Sequence, residues 1–225
     1  MSEYKPNAYV QAFRSLRLFE LFEPGKPFHK LRRKNTFWKE ITEAYAVRSR
    51  LKGYLIKDPE FTVVDVGCGK GFLSTFVALM HPRSRVIALD IDESADRTHF
   101  ERLKNVEFKR VDIMSEEFER VIREAGPKVL MAGIHLCTDL AVRFLEVFKR
   151  SPNVKAAVLM PCCVGEFPRE RYRLLIDEGK LYEAWCLHLA NLLGPEFKVK
   201  TVRDENVLSP KNVILHAERQ ETLKV

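Results

Sequence analysis

The chain has 225 residues, of which 46% are hydrophobic and 31% charged, so it can bury a core and does not have the composition of a disordered chain. It contains no apolar run of the roughly 20 residues that a membrane-spanning helix needs, and no secretory signal is recognisable. The five cysteines are odd in number and two are adjacent, which argues against a disulfide framework. We therefore expect reduced thiols, a cytoplasmic location and no association with membranes.

Positive charge is concentrated in the first quarter of the chain. Residues 1–57 contain 13 Lys and Arg against five Glu and no Asp, a net charge of +8, whereas the remaining residues have a net charge of −1. The densest basic run contains Lys30, Arg32, Arg33 and Lys34. A basic region beside a neutral body favours a polyanionic partner, and we predict that these four side chains bind RNA. A solvated basic surface is the alternative.

The basic segment is predicted to be helical. Apolar residues recur every three positions from Phe13 to Phe22, a spacing close to that of a helix, until glycine and proline interrupt the pattern. A second helix is predicted to start at Asn35 or Thr36, because either residue is a favourable N-cap. We interpret residues 1–57 as a basic helical extension, in which the aromatic residues serve packing rather than the stacking of bases.

From residue 58 onwards the pattern alternates between strands and helices. The predicted strands are 61–66, 85–89, 106–111, 128–134, 154–160, 197–203 and 212–218. The predicted helices between them are 72–80, 93–103, 115–125, 139–150 and 168–193. Five strand–helix units followed by a closing hairpin predict an α/β fold with a doubly wound sheet, in a domain that covers 58–225.

The strongest motif is VVDVGCGKG at residues 63–71. A buried strand delivers Asp65, and Gly67, Gly69 and Gly71 then form a turn into the next helix. Glycine is needed at such a turn because side chains would keep a ligand away from the backbone, and because the turn can require a positive φ. The spacing differs from that of dinucleotide-binding and phosphate-binding loops, so it favours S-adenosylmethionine over NAD. A glycine turn without any ligand is the alternative.

The next two strands end in acidic residues. Asp90 ends the second strand, where a carboxylate can accept hydrogen bonds from both ribose hydroxyls of a nucleoside, and Asp92 is a close competitor. Asp112 ends the third strand, at a place suited to an adenine amino group, and Ile113 offers apolar cover. Together with the glycine turn, these features resemble the S-adenosylmethionine-dependent methyltransferase superfamily, across about residues 58–225.

This resemblance implies an enzyme that transfers methyl groups, with a seven-stranded Rossmann-like sheet whose last strand is inserted antiparallel. The residues expected to bind S-adenosylmethionine are Asp65, Gly67, Gly69, Gly71, Asp90, Asp112 and Ile113. The basic extension favours RNA, either tRNA or rRNA, as the substrate. A protein or small-molecule substrate, or a binding module without turnover, are the alternatives. The sequence does not predict the oligomeric state.

Two further motifs follow the fourth and fifth strands, GIHLCTDLA at 133–141 and MPCCVG at 160–165. The pair resembles a methyltransferase subgroup that includes the tRNA 2′-O-methylase family, and the matching residues are His135, Cys137, Asp139, Cys162 and Cys163. Thr138 stands where many relatives have glycine, and the Cys-Cys-His-His run of the tRNA family is absent. Because the carboxyl ends of parallel strands meet at the ligand crevice, we expect the histidine and the cysteines to cluster beside the methyl donor.

We predict that His135, Cys137, Cys162 and Cys163 are the catalytic residues. In the favoured interpretation they shape the acceptor pocket, and His135 orients the acceptor or removes its proton. A cysteine nucleophile acting on a pyrimidine ring is a second interpretation. A metal site is a third, but adjacent cysteines make an awkward chelate, so no metal ligand is assigned. In a fourth interpretation the cysteines are buried packing residues with no chemical role.

The sequence also limits the choice of acceptor. No Asn-Pro-Pro-Tyr or Asp-Pro-Pro-Tyr segment follows the fourth strand, which argues against exocyclic base amines as acceptors.

Overall fold

The computed structural model describes residues 7–32 and 35–220, with a mixed sheet at its centre. The strands are β1 (Thr62–Val66), β2 (Arg85–Asp90), β3 (Val106–Arg110), β4 (Val129–Leu136), β5 (Val154–Pro161), β6 (Phe197–Arg203) and β7 (Val213–Arg219). They form one seven-stranded sheet in the order β3-β2-β1-β4-β5-β7-β6. Strands β1 to β5 are parallel, and β7 is antiparallel to both β5 and β6. The predicted α/β fold is confirmed, including the antiparallel insertion of the last strand.

Helices cover both faces of this sheet. They are α1 (Ala8–Ser15), α2 (His29–Arg32), α3 (Phe37–Lys57), α4 (Phe72–Met80), α5 (Glu116–Glu124), α6 (Thr138–Arg150), α7 (Arg173–Asp177) and α8 (Leu181–Asn191). The central strands are buried on both faces, so neighbouring residues supply different cores: Val63 packs with α1 to α4, and Val64 packs with α5, α6 and α8. In the part of the chain that the structure describes, none of these helices is both long and apolar enough to cross a membrane.

The N-terminal helices belong to the same hydrophobic core as the sheet. Phe13 and Phe22 are fully buried, and their rings meet edge to face with centroids 5.5 Å apart. The predicted apolar stripe is divided between α1 and a 3-10 turn at Leu18–Phe22, because Arg17 adopts a left-handed backbone with φ of 54°. Leu16 is consequently exposed. The helical character of the segment is confirmed, while its predicted boundary at residue 57 stays a prediction.

Two predicted helices are shorter than expected. In 93–103 only a 3-10 turn forms, at Thr98–Arg102. Asp92 and Asp96 each accept a hydrogen bond from the backbone N–H two residues later, and such local bonds compete with a helix. The last predicted helix is divided at Gly179, whose φ of 75° ends α7 before α8 begins.

The parallel pairing brings the carboxyl ends of five strands to one edge of the sheet. Val66 at the end of β1 is level with Leu89 of β2 and with Gly133 of β4. At the neighbouring pair, Leu136 of β4 is level with Pro161 of β5. The glycine turn, the acidic strand ends and both cysteine motifs therefore emerge at the same edge.

Candidate active site

The three glycines after β1 form a turn in which each residue has a positive φ. The φ values are 68° at Gly67, 54° at Gly69 and 76° at Gly71. A Cβ at Gly67 would lie 2.8 Å from Leu136, and a Cβ at Gly71 would collide with the ring of Phe100. A Cβ at Gly69, in contrast, would meet no protein atom within 4 Å. A side chain at Gly67 or Gly71 would displace Leu136 or Phe100, whereas Gly69 leaves its backbone open.

Asp65 lies on β1 just before this turn and binds the helix that follows the turn. Its carboxylate Oδ2 accepts hydrogen bonds from the backbone N–H of Ser74, at 3.0 Å, and from the Ser74 hydroxyl, at 2.6 Å. Asp65 therefore ties the end of β1 to the first turns of α4. Burial raises the pKa of Asp65 to about 6, although the two hydrogen bonds from Ser74 act in the opposite direction.

The raised pKa of Asp65 makes the stability of the protein depend on pH. Because the folded state holds this proton more tightly than the unfolded chain, ionisation of Asp65 lowers stability as the pH rises. We expect Asp65→Asn to gain about 2 kcal/mol relative to wild type between about pH 4.5 and pH 7, measured by urea unfolding. Lys128 lowers the pKa of the half-buried Asp58, so the relative stability of Asp58→Asn should stay nearly constant in this window and change in the opposite direction only below about pH 4. A pH-independent difference between Asp65→Asn and wild type would refute this.

The acidic strand ends line a cavity of about 310 Å³ beside the glycine turn. Asp90 and Asp112 lie on its rim, and Ile113, Leu136 and Leu140 form apolar walls. Asp112 also accepts a hydrogen bond from the backbone N–H two residues later, at 2.9 Å, which fixes its side chain. The structure thus brings together the residues predicted to hold a nucleoside.

Hydrogen bonds distinguish Asp90 from its competitor Asp92. One carboxylate oxygen of Asp90 accepts from the backbone N–H of Gly69, at 2.7 Å, and the other from that of Asp92, at 2.9 Å. Asp92 is exposed, and its carboxylate is held by the backbone and hydroxyl of Ser94. Sequence reasoning missed Arg97, which is buried and donates to the carbonyl of Gly69, at 2.6 Å. Of these two candidates, Asp90 is therefore the one that lines the cavity.

A second cavity, of about 240 Å³, lies on the other side of the glycine turn. It shares Gly67 and His135 with the first cavity, so the two cavities adjoin at these residues, and together they are called the crevice below. Its walls include Lys39 and Glu43 from α3, which sequence reasoning missed. The sequence did contain a signal for Glu43. Its neighbours in α3 face the core, and a carboxylate at such a position is rarely buried unless it has a partner.

Lys39, Glu43 and His135 form a compact polar group. Lys39 Nζ donates to Glu43 Oε2, at 3.3 Å, and to His135 Nε2, at 2.9 Å. Because Nε2 accepts this bond, the neutral imidazole carries its proton on Nδ1. The side chain of Glu43 is only 2% exposed, and its Oε1 lies 3.1 Å from Lys39 Nζ and 2.9 Å from His135 Nε2. Even so, Oε1 has no hydrogen bond of good geometry, so this buried oxygen retains acceptor capacity.

The predicted cysteine cluster forms at the ends of β4 and β5. Cys137 Sγ lies 2.6 Å from Cys162 Sγ and 3.2 Å from Cys163 Sγ, and the latter two are 3.5 Å apart. Burial raises the pKa of Cys137 and of Cys162. Both thiols can donate to exposed Cys163, and these hydrogen bonds lower the pKa of Cys163. The backbone carbonyl of His135 lies 3.4 Å from Cys162 Sγ, so the cluster borders the crevice residue His135.

Comparison with known proteins identifies the family. Residues 37–170, more than half of the chain, match a family model described as a methyltransferase domain. The chain belongs to this methyltransferase family. Among curated proteins, it is 34% identical over 59 residues to "Putative methyltransferase 235L" of invertebrate iridescent virus 6. That match covers 26% of this chain and 22% of the relative, so it spans less than a quarter of the viral protein.

Solved structures share the fold of this methyltransferase at low sequence identity. A methyltransferase of Anabaena variabilis, named as dependent on S-adenosylmethionine, is 16% identical with a TM-score of 0.52, covering 81% of this chain and 87% of that one. The plantazolicin methyltransferase BpumL, in complex with a monoazolic desmethylPZN analogue and SAH, is 12% identical with a TM-score of 0.50, covering 96% of this chain and 95% of that one. The methyltransferase domain of bacterial CtHen1-CN is 16% identical with a TM-score of 0.51, covering 81% and 100%.

Two side chains of the basic run make contacts with other residues of the chain. Lys30 Nζ lies 2.9 Å from the carboxylate of Asp96, and the guanidinium of Arg32 lies 4.5 Å from the centroid of the Phe19 ring. Lys30 nevertheless remains largely exposed. The predicted RNA-binding residues Arg33 and Lys34 lie outside the described residues.

Proposed function

We propose that this methyltransferase takes its methyl group from S-adenosylmethionine, bound across the two adjoining cavities of the crevice. The observation that carries the proposal is the meeting of two chemically different cavities at Gly67 and His135. One combines a carboxylate, Asp90, with apolar walls, which suits a ribose and an adenine ring. The other combines Lys39 with Glu43, whose opposite charges suit the carboxylate and ammonium of an amino acid.

The individual residues fit this ligand. Glu43 Oε1 is a buried acceptor without a well-formed hydrogen bond, so an ammonium group would satisfy it. The open backbone at Gly69, which lines the second cavity, leaves room for a ligand beside the glycine turn. When bound, S-adenosylmethionine supplies a methyl group that its sulfonium already activates. The BpumL relative, which has the same fold, holds SAH.

The chain's own contribution is mainly alignment, which supplies much of the acceleration in an in-line displacement. His135 lines both cavities, and a residue at their junction can orient an acceptor. Its Nε2 already accepts a hydrogen bond from Lys39, so this atom does not serve as the base in the arrangement seen. His135 therefore fits an orienting role, with Nδ1–H available as a hydrogen-bond donor.

We further propose that the acceptor is RNA, either tRNA or rRNA. The support is the concentration of charge, with a net charge of +8 in residues 1–57 and −1 in the remainder. The helix α3 links this segment to the crevice directly, because its residues Lys39 and Glu43 line the second cavity. An RNA held by the basic segment would thus lie against the element that shapes the donor site.

Two measurements test the proposal in sequence. Calorimetry with S-adenosylmethionine and with its demethylated product should detect binding of both, and the absence of binding would instead favour a module without turnover. A tritiated-methyl transfer assay against total RNA, total protein and a metabolite extract should then label RNA. Labelling of protein or metabolites alone would refute the RNA acceptor while leaving the methyl donor established.

The basic run offers a direct test of RNA docking. Reversal of Lys30, Arg32, Arg33 and Lys34 to Glu is expected to abolish RNA binding and to leave the affinity for S-adenosylmethionine unchanged. Pairwise reversals should lower the slope of log K against log salt by about 0.7–0.9 for each phosphate that is no longer neutralised. The matched control is Lys198→Glu with Lys200→Glu, on the edge strand β6 at the far side of the sheet. RNA binding that survives the fourfold reversal would exclude this docking surface.

A further inference from the structure

Three cysteine sulfurs meet where two neighbouring strands end. Leu136 of β4 pairs with Pro161 of β5, so the next residues, Cys137 and Cys162, face each other. Cys163 then turns its sulfur to the same side, 3.2 Å from that of Cys137. The sequence-based objection to a metal site was that adjacent cysteines chelate poorly. The structure removes this objection, because the sulfurs of Cys162 and Cys163 are 3.5 Å apart and both face Cys137.

The contacts of the cluster suit a cation better than three neutral thiols. The thiols of Cys137 and Cys162 reach one carbonyl oxygen, that of His135, at 3.6 and 3.4 Å. Their other hydrogen-bond contacts are with each other and with Cys163, and sulfur-to-sulfur hydrogen bonds are weak. Three sulfurs bound to one zinc ion at about 2.3 Å lie roughly 3.7 Å apart, so outward movements of about 1 Å or less would open the centre for the ion.

We propose that Cys137, Cys162 and Cys163 bind one thiophilic metal ion, for which zinc is the representative. Thiolate ligands select zinc and monovalent copper over hard cations such as magnesium. Three thiolates around a divalent ion leave one negative charge. The positive charge of Lys211, whose Nζ lies 4.3 Å from the centroid of the Tyr182 ring, acts electrostatically on Cys163 and can offset that negative charge.

The proposed centre has three protein ligands and an open fourth position. His135 does not fill that position, because among the described residues only the three cysteines have ligand atoms that lie within 4.8 Å of one another. Cys163 is exposed, so water or another small ligand can reach the metal from its side. Three protein ligands with an exchangeable fourth are typical of reactive rather than purely structural zinc sites. The ion would also join the ends of β4 and β5 beside the left-handed residue His135, whose φ is 61°.

Metal reconstitution of the full chain tests the proposal. The reduced, metal-free protein should take up one equivalent of Zn²⁺ by elemental analysis under anaerobic conditions, and Co²⁺ should give sulfur-to-cobalt charge-transfer absorption. Replacing any of the three cysteines by serine should weaken Zn²⁺ binding about 10-fold or more. Cys68→Ser and Cys186→Ser, which alter cysteines outside the cluster, should retain one equivalent.

The result that overturns the proposal is equally direct. Failure of the reduced wild-type protein to take up Zn²⁺, or equal uptake by wild type and by the triple serine variant, shows that the cluster is not a metal site. Thermal unfolding of each metal-free variant establishes that the serine variants are folded. If peptide mapping finds Cys137 and Cys162 joined as a disulfide in a chain that binds no zinc, the cluster is a thiol pair and the metal proposal is wrong. None of these readouts depends on methyl transfer.

Discussion

Replacing Asp90 by Asn is expected to weaken S-adenosylmethionine binding about 10–100-fold, because hydrogen bonds to a charged acceptor contribute about 1.5–3 kcal/mol. Asp90 lies on the rim of the 310 Å³ cavity, with its carboxylate fixed by two backbone N–H groups. Asparagine keeps one oxygen that can accept from Gly69, so the glycine turn should survive and the loss should fall on the ligand. Titration calorimetry with S-adenosylmethionine and with its demethylated product measures the effect.

The control for Asp90 is its neighbour two residues along the chain. Asp92→Asn removes the same charge, but this carboxylate is exposed and held by Ser94, away from the cavity walls. We expect it to leave the affinity nearly unchanged. Equal affinities of Asp90→Asn and wild type would exclude ribose recognition by this strand end. Equal losses in both variants would point to a general effect of charge instead of a specific contact.

The sequence predicted the sheet and the strand-end residues well because both depend on local patterns. A β-branched run bounded by glycine or aspartate specifies a strand and its end, and parallel pairing places those ends at one edge of the sheet. The helix Phe72–Met80 and the strand Phe197–Arg203 were predicted at the bounds that the structure shows. The error at 93–103 arose from side chains that bond their own backbone, which apolar spacing does not reveal.

The Lys39–Glu43–His135 group could not be predicted in the same way. His135 lies more than 90 positions after Lys39 in the chain, and α3 was interpreted only through its apolar residues. Helical spacing does place Lys39 and Glu43 one turn apart, but it cannot show which strand end they face. That choice follows from the packing of α3 against β4 and β5, a tertiary contact. The cysteine cluster was predicted because both of its motifs follow adjacent strands.

Lys39→Met is expected to lower the free energy of unfolding by about 3 kcal/mol near pH 8, because it leaves the buried carboxylate of Glu43 without its ammonium partner. The side chain of Glu43 is 2% exposed, whereas that of Lys39 is 33% exposed, so the cost falls at the lower end of the range for a broken buried pair. Urea unfolding at pH 8 measures this.

Two matched variants separate this buried pair from an ordinary ion pair. Lys30→Met breaks the exposed pair with Asp96 and should change stability little. Adding Glu43→Gln to Lys39→Met removes the unpaired negative charge and should recover most of the lost stability. The reason is that the cost comes from burying an unpaired carboxylate and not from the loss of an attraction. If Lys39→Met is no more harmful than Lys30→Met at pH 8, Glu43 does not depend on Lys39 in the folded protein. The charge pairing assigned to the second cavity would then be wrong, and with it the reason for placing the amino-acid end of the methyl donor there.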